Sequence, residues 1–363
     1  SAERPLAVDG LIVTHGDADH FDGLNELMKS ETLANTAAEP QRERKRVFVH
    51  PARVLHNGIV KRPTAVAESL RLGPRQPKDG RPHLTGLVES PRDVPTAERN
   101  QHFNAWVKTL AHWDARRAQL ALPPIALARV AHDKTAPLDF LLAGETEMAL
   151  DVIGPQATQL AGQPALPWLS GADQTINGHS IAFRLRYRNL RLLFTGDLNR
   201  RSMAALRAAV PPERLRSEVL KVPHHGSDDF DRAFLNDVSP VVSIISSGDE
   251  SAAKEYIHPR ANLLAALGRA SRGDMGVIFI TELAAFFAVR GPARELAPKN
   301  EKDAKPFFAF ERTNFGIVHI RSDGERLLAF THSGKRGLNE AYRFRVRADG
   351  EVTMNEALVI VRA

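Results

Sequence analysis

An apolar run, Leu11-Ile12-Val13, leads directly into Thr14-His15-Gly16-Asp17-Ala18-Asp19-His20-Phe21-Asp22-Gly23. Such a run reads as a strand, and the polar segment behind it must turn tightly before the next element. His15, Asp17, Asp19 and His20 then sit on a backbone too short to scatter them, so the four side chains converge. Imidazole and carboxylate are donors that divalent metals accept. A plain strand-to-helix loop with Asp22 at the helix start would account for Asp22, but not for two His and two Asp at this spacing.

Cysteine is absent from the 363 residues, which excludes disulfides and thiolate metal sites and leaves His and carboxylate as the ligand types. Residues 277–289 form the longest apolar stretch, but Thr281 and Glu282 interrupt it and it is too short to span a bilayer. No membrane span is therefore expected. No secretory signal is visible, and the expected location is cytoplasmic. The 49 Lys+Arg exceed the 43 Asp+Glu by enough for a formal charge of +6, and carboxylates committed to metal cannot offset basic side chains elsewhere. A polyanionic substrate is compatible with that balance.

Texture divides the chain into residues 1–40, carrying the metal loop and a short helix with Leu24, Leu27 and Met28; 41–145, irregular and rich in Pro and Gly; and 146–363, where strand and helix signals alternate. Inside the middle zone, residues 97–120 predict an amphipathic helix whose Phe103, Trp106, Val107, Leu110 and Trp113 recur at helical spacing, a stripe expected to pack rather than to stack bases. Strands are expected at 149–153, 181–187, 191–195, 219–222, 241–246 and 277–281, and helices at 201–209, 230–238 and 260–269. Asp323-Gly324 and Asp349-Gly350 mark hairpin turns near the end. The mix predicts an α/β chain with helices layered on sheet.

Three further motifs carry chemistry. Leu192-Leu193-Phe194-Thr195-Gly196-Asp197 is an apolar strand ending in a carboxylate able to bridge two ions. Leu220-Lys221-Val222-Pro223-His224-His225-Gly226-Ser227 runs a strand into a paired-His loop; on an extended backbone adjacent side chains point to opposite sides, so one of the two would face a given centre. His258-Pro259 precedes a helix, and His179 precedes the strand expected to pair with the one ending at Asp197. Two strands also carry Arg at alternate positions, Arg184-Arg186-Arg188 and Arg343-Arg345-Arg347, each trio on one face, either meeting phosphates or simply solvated.

Taken in order, His15-Gly16-Asp17-Ala18-Asp19-His20, Thr195-Gly196-Asp197, His224-His225-Gly226-Ser227 and His258-Pro259 resemble the motif series of the metallo-β-lactamase superfamily, and within it the ComEC-like hydrolase branch associated with DNA uptake. The match covers residues 11–24 and 177–267; residues 41–143 have no counterpart in it. The resemblance implies an αββα sandwich with two divalent ions, Zn²⁺ or Mn²⁺. Asp19, His20 and His258 would hold one ion, His15 and His179 the other, with Asp197 bridging. Asp17 stands where a second His is commoner, which makes the donor set richer in oxygen and favours Mn²⁺ as a rival to Zn²⁺. Family members also carry a β-hairpin ahead of the loop, so a missing N-terminal segment, another part of this chain or a second chain is expected to complete the sheet.

The implied activity is phosphodiester hydrolysis, nuclease action foremost, by hydroxide activated between the two ions, with His225 or His224 donating a proton or hydrogen bond to the phosphoryl or leaving oxygen and Asp19 in the catalytic group. Lys221, Ser227, Lys61 and Arg62 are expected to meet phosphate. Hydrolysis of small esters, lactones or lactams is the alternative chemistry for the same ions, and a catalytically reduced scaffold binding nucleic acid or a partner is the alternative class.

Overall fold

Leu11–Ile12 does form a strand, and its neighbours come from the Pro- and Gly-rich middle zone. It pairs in parallel with Arg53–His56, which pairs in parallel with Ala126–Arg129. A separate parallel pair joins Leu6–Val8 to Val49–Pro51. These elements come from a computed structural model that describes residues 3–142, 144–248, 258–273, 276–289, 310–314, 316–332 and 339–358. The chain is a mixed α/β protein with several sheets. It divides into one unit of Ser1–Glu145, Val152–Phe183 and Gly196–Ser202, and another of Thr146–Asp151, Arg184–Thr195 and Met203–Ala363.

In the first unit the metal loop is anchored by aromatic packing. The helix Gln101–Gln119 begins where Asn100 Oδ1 accepts from the Phe103 amide at 2.9 Å, satisfying an otherwise unpaired donor of the first turn. Phe103, Trp106, Leu110 and Trp113 then recur on one buried face and share a core with Val13, Phe21 and Val54. Phe21 follows His20 directly, and its ring centroid lies 4.9 Å from Phe103 and 5.1 Å from Trp106. Burial of a side chain this size contributes about 1.5–3 kcal/mol, so the end of the loop is held by the core rather than by its own short helix. That helix, Asp22–Ser30, contains Asp22 as its first residue, with Phe21 in the cap position.

The middle zone also contributes Arg75–Lys78 and Arg81–Leu84 to a four-stranded antiparallel sheet completed by Gln163–Pro167 and Thr158–Leu160. Pro77 and Pro82 lie directly opposite one another in it. Proline is tolerated where its missing N–H breaks no ladder bond, which is why these strands escape a reading based on propensity.

The second unit follows the sequence signals closely. Val277–Ile280, Val242–Ile245, Val219–Lys221 and Leu190–Phe194 are consecutive parallel neighbours; Ala182–Tyr187 and Met148–Gly154, whose residues are divided between the two units, are also strands. Their near-continuous apolar character suits strands buried on both faces. Helices occupy Arg200–Ala209, Arg232–Val238 and Ala261–Ala270. The strands Ile317–Ser322, Arg326–His332, Ala341–Val346 and Val352–Leu358 form an antiparallel sheet with turns at Asp323-Gly324 and Asp349-Gly350. Leu327, Ala329, Phe344 and Val346 pack from its inner face against Val219, Val242 and Phe279. Among the described residues no helix is long and apolar enough to cross a membrane.

Candidate metal centre

The strand before the loop fixes where His15 can go. The Val13 amide donates to the Leu55 carbonyl at 2.8 Å, extending the ladder one residue past the strand, and His15 follows two residues later with no exposed surface. Its Nδ1 meets Thr14 Oγ1 at 3.1 Å and Ser180 Oγ at 3.3 Å. Ser180 Oγ donates to the Asn177 carbonyl at 2.7 Å, so towards His15 that oxygen accepts. His15 Nδ1 is then the donor, and the lone pair sits on Nε2, 3.9 Å from Asp197 Oδ2.

His20 closes the 3₁₀ turn Ala18–His20. Its Nε2 lies 3.1 Å from Asp197 Oδ2 and 3.5 Å from Asp19 Oδ2, and its ring centroid is 4.0 Å from that of His15. Asp197 is buried, and its amide donates to Ser180 Oγ at 2.9 Å. Gly196 before it has φ +51°, and a Cβ there would fall 2.6 Å from Ser180 Cβ and 2.7 Å from its Oγ. Only glycine lets the strand end turn Asp197 over Ser180.

The outcome is a cluster in which Asp19, His20 and Asp197 present ligand atoms within 4.8 Å of one another. It can hold a metal ion. The donor chemistry fits: His15 Nε2 lies 3.9 Å from the buried Asp197 carboxylate, and imidazole nitrogen and carboxylate oxygen are both donors that divalent metals accept. Thr14 Oγ1 also lies 3.3 Å from His20 Nδ1, and the two hydroxyls orient the rings as outer partners of metal-bound His do, Ser180 setting the tautomer of His15. Sequence reasoning missed Ser180 and Thr14, since neither belongs to a motif of metal-ligand types.

Asp17 is placed differently from its three loop neighbours. Lys61 Nζ donates to Asp17 Oδ1 at 2.8 Å and to Asp173 Oδ1 at 2.9 Å. Burial raises the Asp17 pKa above the ordinary carboxylate value, and Lys61 opposes the rise only in part. Burial would lower Lys61, but the Asp17 charge and the two hydrogen bonds hold it above its ordinary value. Arg62 pairs with Glu98 at 3.2 Å. His179 caps the end of the helix Ala172–Gly178 and is buried. Its Nε2 donates to the Pro167 carbonyl at 2.7 Å, and burial pulls its pKa down to about 4.

In the second unit, His224, His225 and Gly226 make a short turn after the strand Val219–Lys221. The extended-backbone expectation for the His pair is overturned, because His224 has φ +49° and His225 φ +51°. Two successive non-glycine residues in the left-handed region cost free energy and persist only where their surroundings hold them. Here the hold comes from His225 Nδ1 on the Ser246 carbonyl at 2.7 Å and from the Arg260 amide on the Gly226 carbonyl at 2.8 Å. The His224 ring centroid lies 6.4 Å from His225 and 6.1 Å from His258. Burial, then the neighbouring His224 and His225, lower the His258 pKa. Ser227 is buried and its Oγ accepts from the Asp229 amide at 3.2 Å, while the Lys221 carbonyl accepts from Thr195 Oγ1 at 2.6 Å.

No protein-family model matches the chain, and no curated protein matches it.

Proposed function

We propose that this chain is a metal-dependent hydrolase of phosphodiesters, a nuclease of the metallo-β-lactamase-like, ComEC-like kind that its motif order resembles. One observation carries the reading: the buried Asp197 carboxylate receives His20 Nε2 at 3.1 Å and His15 Nε2 at 3.9 Å, with Asp19 beside them. Asp19, His20, Asp197 and His15 would hold divalent metal, Zn²⁺ or Mn²⁺ by donor type. A bound ion supplies Lewis acidity at a phosphoryl oxygen and lowers the pKa of water enough for attack near neutral pH.

The chain's own groups do the rest. Ser180 sets the His15 tautomer, and Thr14 Oγ1 contacts the Nδ1 atoms of both His15 and His20. The motif resemblance assigns proton donation to the leaving oxygen to His225 or His224, and His258 and a second ion to the complete centre. Lys61 bridges Asp17 and Asp173 beside the loop, donating to one carboxylate at 2.8 Å and to the other at 2.9 Å. The formal +6 of the chain favours an anionic substrate.

The test is metal analysis of the purified, metal-supplemented protein together with turnover of bis-p-nitrophenyl phosphate, single- and double-stranded DNA, and RNA, for wild type and Asp197→Asn. Stoichiometric metal and phosphodiester cleavage, both lost in Asp197→Asn, are expected. Cleavage that survives Asp197→Asn overturns the site. Turnover confined to esters or lactones replaces the substrate class, and less than one ion per chain replaces the enzyme with a binding scaffold.

A further inference from the structure

The C-terminal antiparallel sheet has two faces of opposite chemistry. Its inner face is the apolar set already described, and strict alternation along Arg326–His332 leaves Arg326, Leu328, Phe330 and His332 on the other. Register places partners beside them: His319 opposite Phe330, Arg321 and Arg343 on either side of Leu328, and Arg345 opposite Arg326. His319 and Phe330 stack with ring centroids 4.6 Å apart and planes 8° from parallel. The Arg321 guanidinium lies 5.4 Å from the Phe330 centroid.

This is an unusual outer face for a sheet whose other side already buries a core. Like charges directly opposite in register destabilise strand pairing, and Arg326 faces Arg345. Asp323 binds Arg326 at 2.6 Å, and register sets Arg321, Arg343 and Arg345 on the same face. An aromatic pair already stacked face to face adds a planar base as a further layer, and guanidinium groups around it meet the phosphates that accompany successive bases. Duplex DNA offers phosphates but hides its base faces, whereas a single strand offers both.

We propose that the outer face built by the half-buried His319 and Phe330 with Arg321, Arg326 and Arg345 binds single-stranded nucleic acid, the bases on the aromatic pair and the backbone on the arginines. The inference rests on the phosphodiesterase reading for the fate of the captured strand, not for its capture. It gives the Arg343 and Arg345 positions a role beyond solvation, because they share the face with stacking groups that no solvated sheet surface requires.

The experiment uses the full chain with Asp197→Asn, which is expected to abolish cleavage, and follows fluorescein-labelled oligothymidylate by anisotropy over a salt series. Binding is expected, with Phe330→Leu weakening it about tenfold by removal of one stacking surface. In Arg321→Ala/Arg345→Ala, the slope of log affinity against log salt should fall by about 0.7 for each phosphate the protein no longer neutralises. The arginine variant alters exposed side chains, so it remains informative if Phe330→Leu folds poorly. Unchanged affinity and slope in both variants, absence of binding at low salt, or tighter binding of a duplex of equal length overturns the proposal. So does a dimer that Phe330→Leu dissociates, since a second copy would then be the occupant. Bis-p-nitrophenyl phosphate is too small to use the sheet, and Phe330→Leu should leave its turnover unchanged. If wild type fails to hydrolyse it while oligothymidylate binding still depends on Phe330 and the arginines, the hydrolase reading fails and the binding face stands.

Discussion

Two groups of histidines in this chain are built from the same side chain and given different hydrogen-bond partners. His15 and His20 stand against the buried carboxylate of Asp197, with their Nδ1 atoms held by hydroxyls. His224, His225 and His258 stand against one another, and the neighbours of His258 add to burial in disfavouring its charge. The first group could hold a cation, because imidazole nitrogen and carboxylate oxygens lie close together there. In the second, the His224–Gly226 turn is held mainly by backbone carbonyls and amides, so its geometry does not depend on charge. What surrounds an imidazole, more than its presence, decides what it can do.

Removing the carboxylate should erase the contrast, with the largest effect. Asp197→Asn is expected to weaken metal binding by at least about 100-fold, measured by competition with a chelating dye, since outer partners alone are worth 10–100-fold. Retention of wild-type affinity would break the comparison.

A third environment sharpens it through pH. Burial, with His83 nearby, disfavours the charge of His179, and its folded pKa of about 4 lies below the unfolded value of 6.5. Between those values the unfolded state binds more protons, so stability present at pH 7 is lost as pH falls through 6.5 towards 4. The expected loss from pH 7 to pH 5 is about 2 kcal/mol by urea denaturation. Buried His56, also lowered by desolvation, acts in the same direction. His179→Gln should flatten the His179 share, and a variant with unchanged pH dependence would remove His179 as the cause.

Smaller again is the effect of the orienting hydroxyl. Ser180→Ala leaves every metal-type ligand in place but takes away an oxygen that serves both His15 Nδ1 and the Asp197 amide, and metal affinity should drop about tenfold. No change in affinity would mean that packing alone orients His15. The smallest expected effect belongs to the second group. In metal-free protein, His224→Asn should raise the His258 pKa, followed by imidazole resonances in NMR, because one of its like-charged neighbours is gone. An unmoved or lowered value would show that desolvation acts alone there.

The loop itself was legible because its causes are local. An apolar run followed by a tight ligand-rich segment fixes strand, turn and convergence, and the Asp-Gly turns and the helical stripe through Trp106 and Trp113 are equally short-range. The strands 75–78 and 81–84 were not legible, since their prolines argue against strand and only pairing with Gln163–Pro167 stabilises them. Nor was the left-handed turn at His224 and His225, which exists because Ser246 and Arg260 hold it. The aromatic pair on the C-terminal sheet likewise depends on register, as His319 and Phe330 become neighbours only when the Asp323-Gly324 turn aligns their strands.

Read by itself, the sequence determined the kinds of donor atom, the absence of thiolate, the α/β alternation and the position of the metal loop behind a strand. All of these follow from residue type and from spacings within one element. Tertiary structure alone decided which donors meet. It separated Asp17, taken by Lys61, from Asp19 and His20, and it brought Asp197 and Ser180 to His15 across long stretches of chain. The physical reason is that a side chain's partner is set by the packing of remote segments, and four potential ligands on one short loop carry no local signal of which will find a carboxylate and which an ammonium group.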